Sequence, residues 1–266
     1  MSEHSPSSSL DLLDRVLHGT SAPTGTGRWL LQRAAVGAAG VAAVSAGVFA
    51  SSALADDRPH GQSDGDGSID DWGVFTSTTE ALTVTILTEL LRRTSLHPEV
   101  PSEVSVTFDA VYAAELDHWN FISQHFDPST KHFWIPDGFF GGADDALDLT
   151  AVGNGISAGE TLFINTYLVA VTTFAEAGRS ELARYSAEVA GCESEHRVLG
   201  QTLAGASPPN NLGFEEFPFD NVSDIEAAFV SAGFGFGQQG TSPGRFYDFP
   251  DPPMAPPSPI SSNEPT

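Results

Sequence analysis

Glu-x-x-His occurs twice in this chain, as Glu115-Leu116-Asp117-His118 and Glu193-Ser194-Glu195-His196, each inside a segment with helical apolar spacing. Residues three apart on an α-helix share one face about one turn apart, so each pair aims a carboxylate and an imidazole at one point. Two such helices, with one Glu from each of two others, make the ligand set of a di-iron or di-manganese carboxylate bundle. The alternative is solvated side chains on helices that are acidic anyway. The metal reading is preferred because both helices are apolar on the same face and the pattern recurs.

Charge and cysteine content narrow the partners. Thirty-five acidic residues against eleven basic ones give a formal charge of −24, and Lys131 is the sole lysine. Such a chain repels nucleic acid and anionic lipid. It suits an exported protein or one living at high salt. One cysteine, Cys192, excludes an internal disulfide framework and a thiolate metal cluster, and its default role is a small buried hydrophobe.

Residues 1–55 read as a targeting segment: a polar leader, Arg28 and Arg33, an Ala/Gly/Val run over 34–50, and Ala53-Leu54-Ala55 at the expected cleavage point. The leader is reminiscent of a twin-arginine signal, although its arginines are not adjacent. Cleavage after Ala55 gives a periplasmic, extracellular or cell-envelope protein with no membrane insertion. An uncleaved anchor is the alternative, since the apolar run approaches about 20 residues.

Residues 56–74 read as a linker, and apolar periodicity then predicts four long helices within 75–205. The first spans 75–93, capped by Ser77 or Thr78, with Leu82, Ile86, Leu87, Leu90 and Leu91 as its stripe. The second spans 102–125, between Pro101 and Asp127-Pro128. The third spans 157–177, ended by Gly178, and the fourth runs from Ser180 to about 203. The long aromatic connection over 126–156 fits the single crossover of a ferritin-like bundle. An irregular extension follows over 206–248, with a capping-box pattern at Ser223-Asp224-Ile225-Glu226. The Pro-rich tail, 249–266, is expected to be disordered.

Across 75–205 the chain resembles the exported ferritin-like domain proteins of bacteria and archaea, sometimes grouped with desiccation-related proteins. The segments carrying the resemblance are Leu87-Thr88-Glu89-Leu90-Leu91, Glu115-Leu116-Asp117-His118, Glu160 seven residues before Tyr167-Leu168, and Cys192-Glu193-Ser194-Glu195-His196-Arg197. The resemblance implies an all-α four-helix bundle and assigns Glu89, Glu115, His118, Glu160, Glu193 and His196 as ligands of a di-iron or di-manganese centre. Physics points the same way: these glutamates lie on or beside apolar stripes, where an unpaired carboxylate is costly. Carboxylate and imidazole suit iron or manganese, without choosing between them.

Other positions have simpler readings. Glu80 competes with Glu89 but sits near the expected helix start, where it would offset the helix dipole, and the same reading applies to Glu160. Tyr167 is a phenol beside the metals, a redox-active group, or core, with core preferred. Asp117, Glu188 and Glu195 point outward, and His97, His125 and His132 belong to loops. Asn221-Val222-Ser223 matches a glycosylation acceptor by pattern alone.

The functional expectation is therefore an exported di-metal carboxylate protein acting on dioxygen or peroxide, or oxidising Fe(II). The alternative from another class is a non-catalytic, stress- or desiccation-associated acidic scaffold whose metal site is structural or vestigial.

Overall fold

A computed structural model describes residues 67–209, 213, 215, 219 and 221–255. Residues 1–55, expected to be a targeting segment cleaved after Ala55, and residues 256–266 of the expected tail lie outside the described residues.

The first helix, α1, spans Ile69–Leu96, six residues earlier than the periodicity predicts. Its start is fixed by a capping box. Ser68 Oγ accepts the Asp71 amide, and the Asp71 carboxylate accepts the Ser68 amide. Inside α1, Thr76, Thr79, Thr83, Thr85 and Thr94 are buried, and their hydroxyls donate to carbonyls one turn back. That bonding satisfies the hydroxyls, so burial overrides the poor helix propensity of Thr and Val.

Helix α2 spans Ser102–Ile122, α3 spans Leu149–Glu176 and α4 spans Ser180–Leu203. Asp148 caps α3 by accepting the Thr150 and Ala151 amides. The links of five residues (97–101) and three residues (177–179) leave no room except for antiparallel neighbours, so α1 pairs with α2 and α3 with α4. The α3–α4 backbones touch: a Cβ on Gly153 would come within 2.6 Å of Gly200 O and Ala204 N. Helices α1 and α3 also pack together, closing the bundle. Its interior holds Trp72, Leu82, Leu90, Tyr112, Ile122, Tyr167 and Phe174, each essentially inaccessible.

The crossover from α2 to α3 is not a plain loop, and the chain is not all-α. Strand β1, His132–Pro136, is the centre of a three-stranded antiparallel sheet. Its partners are β2 (Gly235–Phe236) and β3 (Gly244–Asp248) from the C-terminal extension. Phe133 and Ile135 alternate inward with no exposure, as a half-buried strand requires. A 3₁₀ turn over Asp137–Phe140 follows β1.

The extension also carries a fifth helix, α5 (Val222–Ser231), capped by Asn221 rather than Ser223. Phe229 of α5 reaches Phe75 and Phe163 edge-on, at ring distances of 6.4 and 5.6 Å. Part of the expected tail is packed as well. Phe249 is buried, and Tyr112 donates to the Met254 carbonyl at 2.9 Å. No helix among the described residues is long and apolar enough to cross a membrane.

Candidate metal centre

The four long helices place acidic side chains at matching heights. Glu80 is the twelfth residue counted from Ile69, and Glu160 the twelfth counted from Leu149. Glu115 is the fourteenth counted from Ser102, and Glu193 the fourteenth counted from Ser180. The helix pairs α1–α2 and α3–α4 therefore present equivalent ligand sets, Glu80 with Glu115/His118 and Glu160 with Glu193/His196.

These six side chains meet in the bundle interior. Glu80, Glu115, His118 and Glu193 form one group, and Glu115, Glu160, Glu193 and His196 a second; within each group the candidate ligand atoms all lie within 4.8 Å of one another. Glu115 and Glu193 belong to both groups. The four glutamates are 0–5% exposed, His196 is 5% exposed, and the His118 side chain reaches 13%.

The contacts are close yet poorly matched as hydrogen bonds. His196 Nδ1 is 2.7 Å from Glu115 Oε1 and 2.9 Å from Glu193 Oε2. His118 Nδ1 is 3.5 Å from Glu115 Oε2, 3.5 Å from Glu193 Oε1 and 3.9 Å from Glu80 Oε2. Even so, Glu80 Oε2, Glu115 Oε1, Glu160 Oε2, Glu193 Oε1 and His118 Nδ1 are buried without a hydrogen-bond partner. Buried polar atoms are nearly always paired, so five orphans in one cluster need a cause. Two ligands at right angles, each ~2.1 Å from one ion, sit about 3 Å apart. The spacing and the orphaned atoms fit a cation between them, and oxygen with imidazole suits iron or manganese.

Electrostatics within the cluster is divided. Burial, reinforced by Glu115 and Glu193, raises Glu80 well above the carboxylate range. Burial likewise raises Glu160, with Glu193 and Glu115 adding to it. Burial would also raise Glu115, but the imidazoles of His196 and His118 outweigh it and hold Glu115 low. Burial opposes charge on both histidines, yet their acidic neighbours and Cys192 raise them well above an ordinary imidazole. Among the side chains alone, protons therefore favour Glu80, Glu160 and both histidines, while Glu115 is held as the carboxylate.

Groups around the cluster hold its members in place. The Tyr167 hydroxyl, fully buried, donates to Glu80 Oε1, leaving Oε2 as the free oxygen. Tyr185 donates to the His118 carbonyl at 2.8 Å, and its ring meets that of Tyr167 edge-on at 6.1 Å. Cys192 Sγ lies 3.6 Å from His196 Nε2, on the side of the ring turned away from the carboxylates. Burial pushes the Cys192 thiol up, but His118 and His196 outweigh it and lower it.

The structure brings together Glu115, His118, Glu160, Glu193 and His196, and it replaces Glu89 by Glu80. Glu89 faces two arginines instead: its carboxylate accepts from Arg92 Nε and Nη2 and from Arg93 Nε, all at 2.7 Å. Sequence spacing weighs Glu80 against Glu89 and sets it aside because a helix starting at Phe75 puts it in the first two turns, whereas the Ser68 capping box puts it mid-helix. Separately, the Asp148 cap starts α3 at Leu149 rather than 157, which moves Glu160 from an expected first turn to mid-helix. The Ser68-x-x-Asp71 pattern was the available signal for Glu80. Tyr185 and Cys192 carried none, because their partners lie across the bundle or behind a histidine ring.

No protein-family model, curated protein or solved structure matches this chain.

Proposed function

We propose that the chain is a di-metal carboxylate protein of ferritin-like architecture, holding two iron or two manganese ions. The observation that carries this reading is that Glu115 and Glu193 each belong to both ligand groups, so two ions would share two carboxylates. The long crossover between α2 and α3, with Glu-x-x-His on α2 and α4, supports the architectural part. Export, with residues 1–55 as the signal, is part of the proposal.

When bound, such a pair supplies one-electron redox chemistry toward dioxygen or peroxide, with Fe(II) oxidation as the simplest outcome. The chain's own contribution is placement and exclusion of water. Glu115 and Glu193 would serve both positions, while Glu80 with His118 and Glu160 with His196 would complete either end. Tyr167 fixes one oxygen of Glu80 and so orients the other. Cys192 steadies the His196 ring from behind, which favours Nδ1 as the inward nitrogen. Because the four carboxylates are buried, their attraction for cations is little screened by solvent.

The test is anaerobic Fe(II) loading of the full chain, followed by exposure to air and ferric absorbance. About two irons per chain, oxidised faster than Fe(II) in buffer, are expected of this ligand set. The double variant Glu115→Ala, Glu193→Ala should fall to the buffer rate while keeping its helical circular dichroism. A folded wild type that oxidises iron no faster than buffer overturns the redox reading and leaves an acidic scaffold.

A further inference from the structure

A cavity of about 40 Å³ lies beside the carboxylate cluster, between α1 and α3. Its walls include Leu82, Ile86, Phe139, Ile156, Gly159 and Phe163, and Glu160 also lines it. Phe139, Ile156 and Gly159 are half-exposed, whereas Glu160 is 5% exposed. The cavity therefore runs from a partly open apolar rim to a buried ligand residue. Glu160 carries one of the orphaned carboxylate oxygens. The other polar residue in the wall, Thr83, has its hydroxyl committed to the Thr79 carbonyl at 3.2 Å.

Resting on the metal-centre reading, we infer that this cavity is a binding and entry site for a small apolar molecule of dioxygen size. Size and polarity both decide it. One water needs about 10–15 Å³ of such space, and a benzene-sized ligand occupies cavities of about 150 Å³. A 40 Å³ cavity thus admits a diatomic molecule and excludes ring-sized substrates. Hydrogen peroxide would exchange its several water hydrogen bonds for those of Glu160 and the Thr83 oxygen in an otherwise apolar wall, which is unfavourable. Dioxygen has no such bonds to lose. Gly155 and Gly159, one turn apart on α3, shape the space. A Cβ at Gly155 would meet the Phe139 ring at 2.7 Å, whereas one at Gly159 would meet nothing within 4 Å. A larger side chain at 159 can therefore enter the cavity without disturbing the backbone.

Xenon, an apolar probe that enters dry cavities of this kind, tests the site without metal. The full, metal-free chain is titrated with xenon while the methyl resonances of Leu82, Ile86 and Leu87 are followed. Saturable shifts are expected in the wild type, lost in Gly159→Leu and in a second wall variant, Val111→Phe, and weakened in Gly159→Ala. In the Fe(II)-loaded protein, Gly159→Leu should slow oxidation by dioxygen at least tenfold and change oxidation by peroxide less than twofold. Absent xenon shifts in the wild type overturn the inference, as do shifts that persist in both larger variants. Equal slowing with both oxidants also overturns it. A chain that takes up iron but no xenon contradicts the cavity's role alone. One that takes up xenon but no iron contradicts the metal-centre reading, and the delivery role with it.

Discussion

Glu115 and Glu193 lie at the crossing of the two ligand groups, each 1% exposed and each shared. The cluster sets four carboxyl groups against two imidazoles, and several of its oxygens have no side-chain or backbone hydrogen-bond donor. Such a group is costly to bury, by about 1–3 kcal/mol per orphaned atom. Glu160 carries this penalty, as Glu80 does, since burial and two neighbouring glutamates raise it together. Replacing it with the neutral isostere, Glu160→Gln, should therefore stabilise the metal-free protein by about 1–2 kcal/mol in urea unfolding. The same substitution should weaken the metal-loaded protein, and that reversal of sign separates a ligand from an ordinary buried acid. Stabilisation or destabilisation in both states would argue that Glu160 serves the fold rather than a cation.

The elements around the cluster are held by a second, separate charge network centred on Arg93, which has no exposed surface. Arg93 lies between three elements. It donates to Glu89 of α1 at 2.7 Å, to the Ala146 carbonyl of the crossover at 2.6 Å and to Tyr247 of β3 at 3.0 Å. Its guanidinium also stacks 4.0 Å from the Phe140 ring. Breaking a buried pair leaves an uncompensated charge, so Glu89→Gln should cost about 3 kcal/mol at neutral pH. Burial would raise Glu89, but Arg92 and Arg93 outweigh it and lower it from its ordinary 4.5. Its folded value being depressed, its contribution is complete above the unfolded value and lost as pH falls through the folded one. Between pH 5 and pH 3 the wild type should therefore lose stability more steeply than Glu89→Gln; parallel curves would show that the Glu89 carboxylate is not what compensates the buried Arg93. This network also explains which parts of the molecule were legible in the sequence. Helix type and the two Glu-x-x-His pairs follow from local spacing, which needs no knowledge of partners. The candidate ligand on α1 depended on a helix start misplaced by six residues, nearly two turns, and that error favoured Glu89 over Glu80. The sheet was illegible because β1 finds its partners about 100 residues later, in strands of two and five residues.

At the scale of the whole molecule, the chain combines a net charge of −24 with a buried cluster that is itself acidic. Self-repulsion of this size disfavours the compact state, and bound cations relieve it where the charge is least solvated. On the proposed reading, folding and metal binding are linked. At a free metal concentration of 100 Kd the folded state gains about 2.7 kcal/mol. For a chain of this size that corresponds to a rise in Tm of roughly 5–10 °C. The rise should follow Mn(II) or Fe(II), reverse with a chelator and be absent in the Glu115→Ala, Glu193→Ala variant. A Tm that is the same with metal, without metal and in that variant would mean that the cluster is not coupled to folding. The most direct measurement is metal content per chain by elemental mass spectrometry, on the full wild-type protein, Glu80→Gln and Glu89→Gln, each loaded with Mn(II) and checked for helical circular dichroism. About two ions per chain in the wild type and in Glu89→Gln, with at least one lost in Glu80→Gln, is the result expected of two ions sharing Glu115 and Glu193. A folded wild type without metal, or a Glu80→Gln variant that keeps both ions while Glu89→Gln loses them, would contradict it.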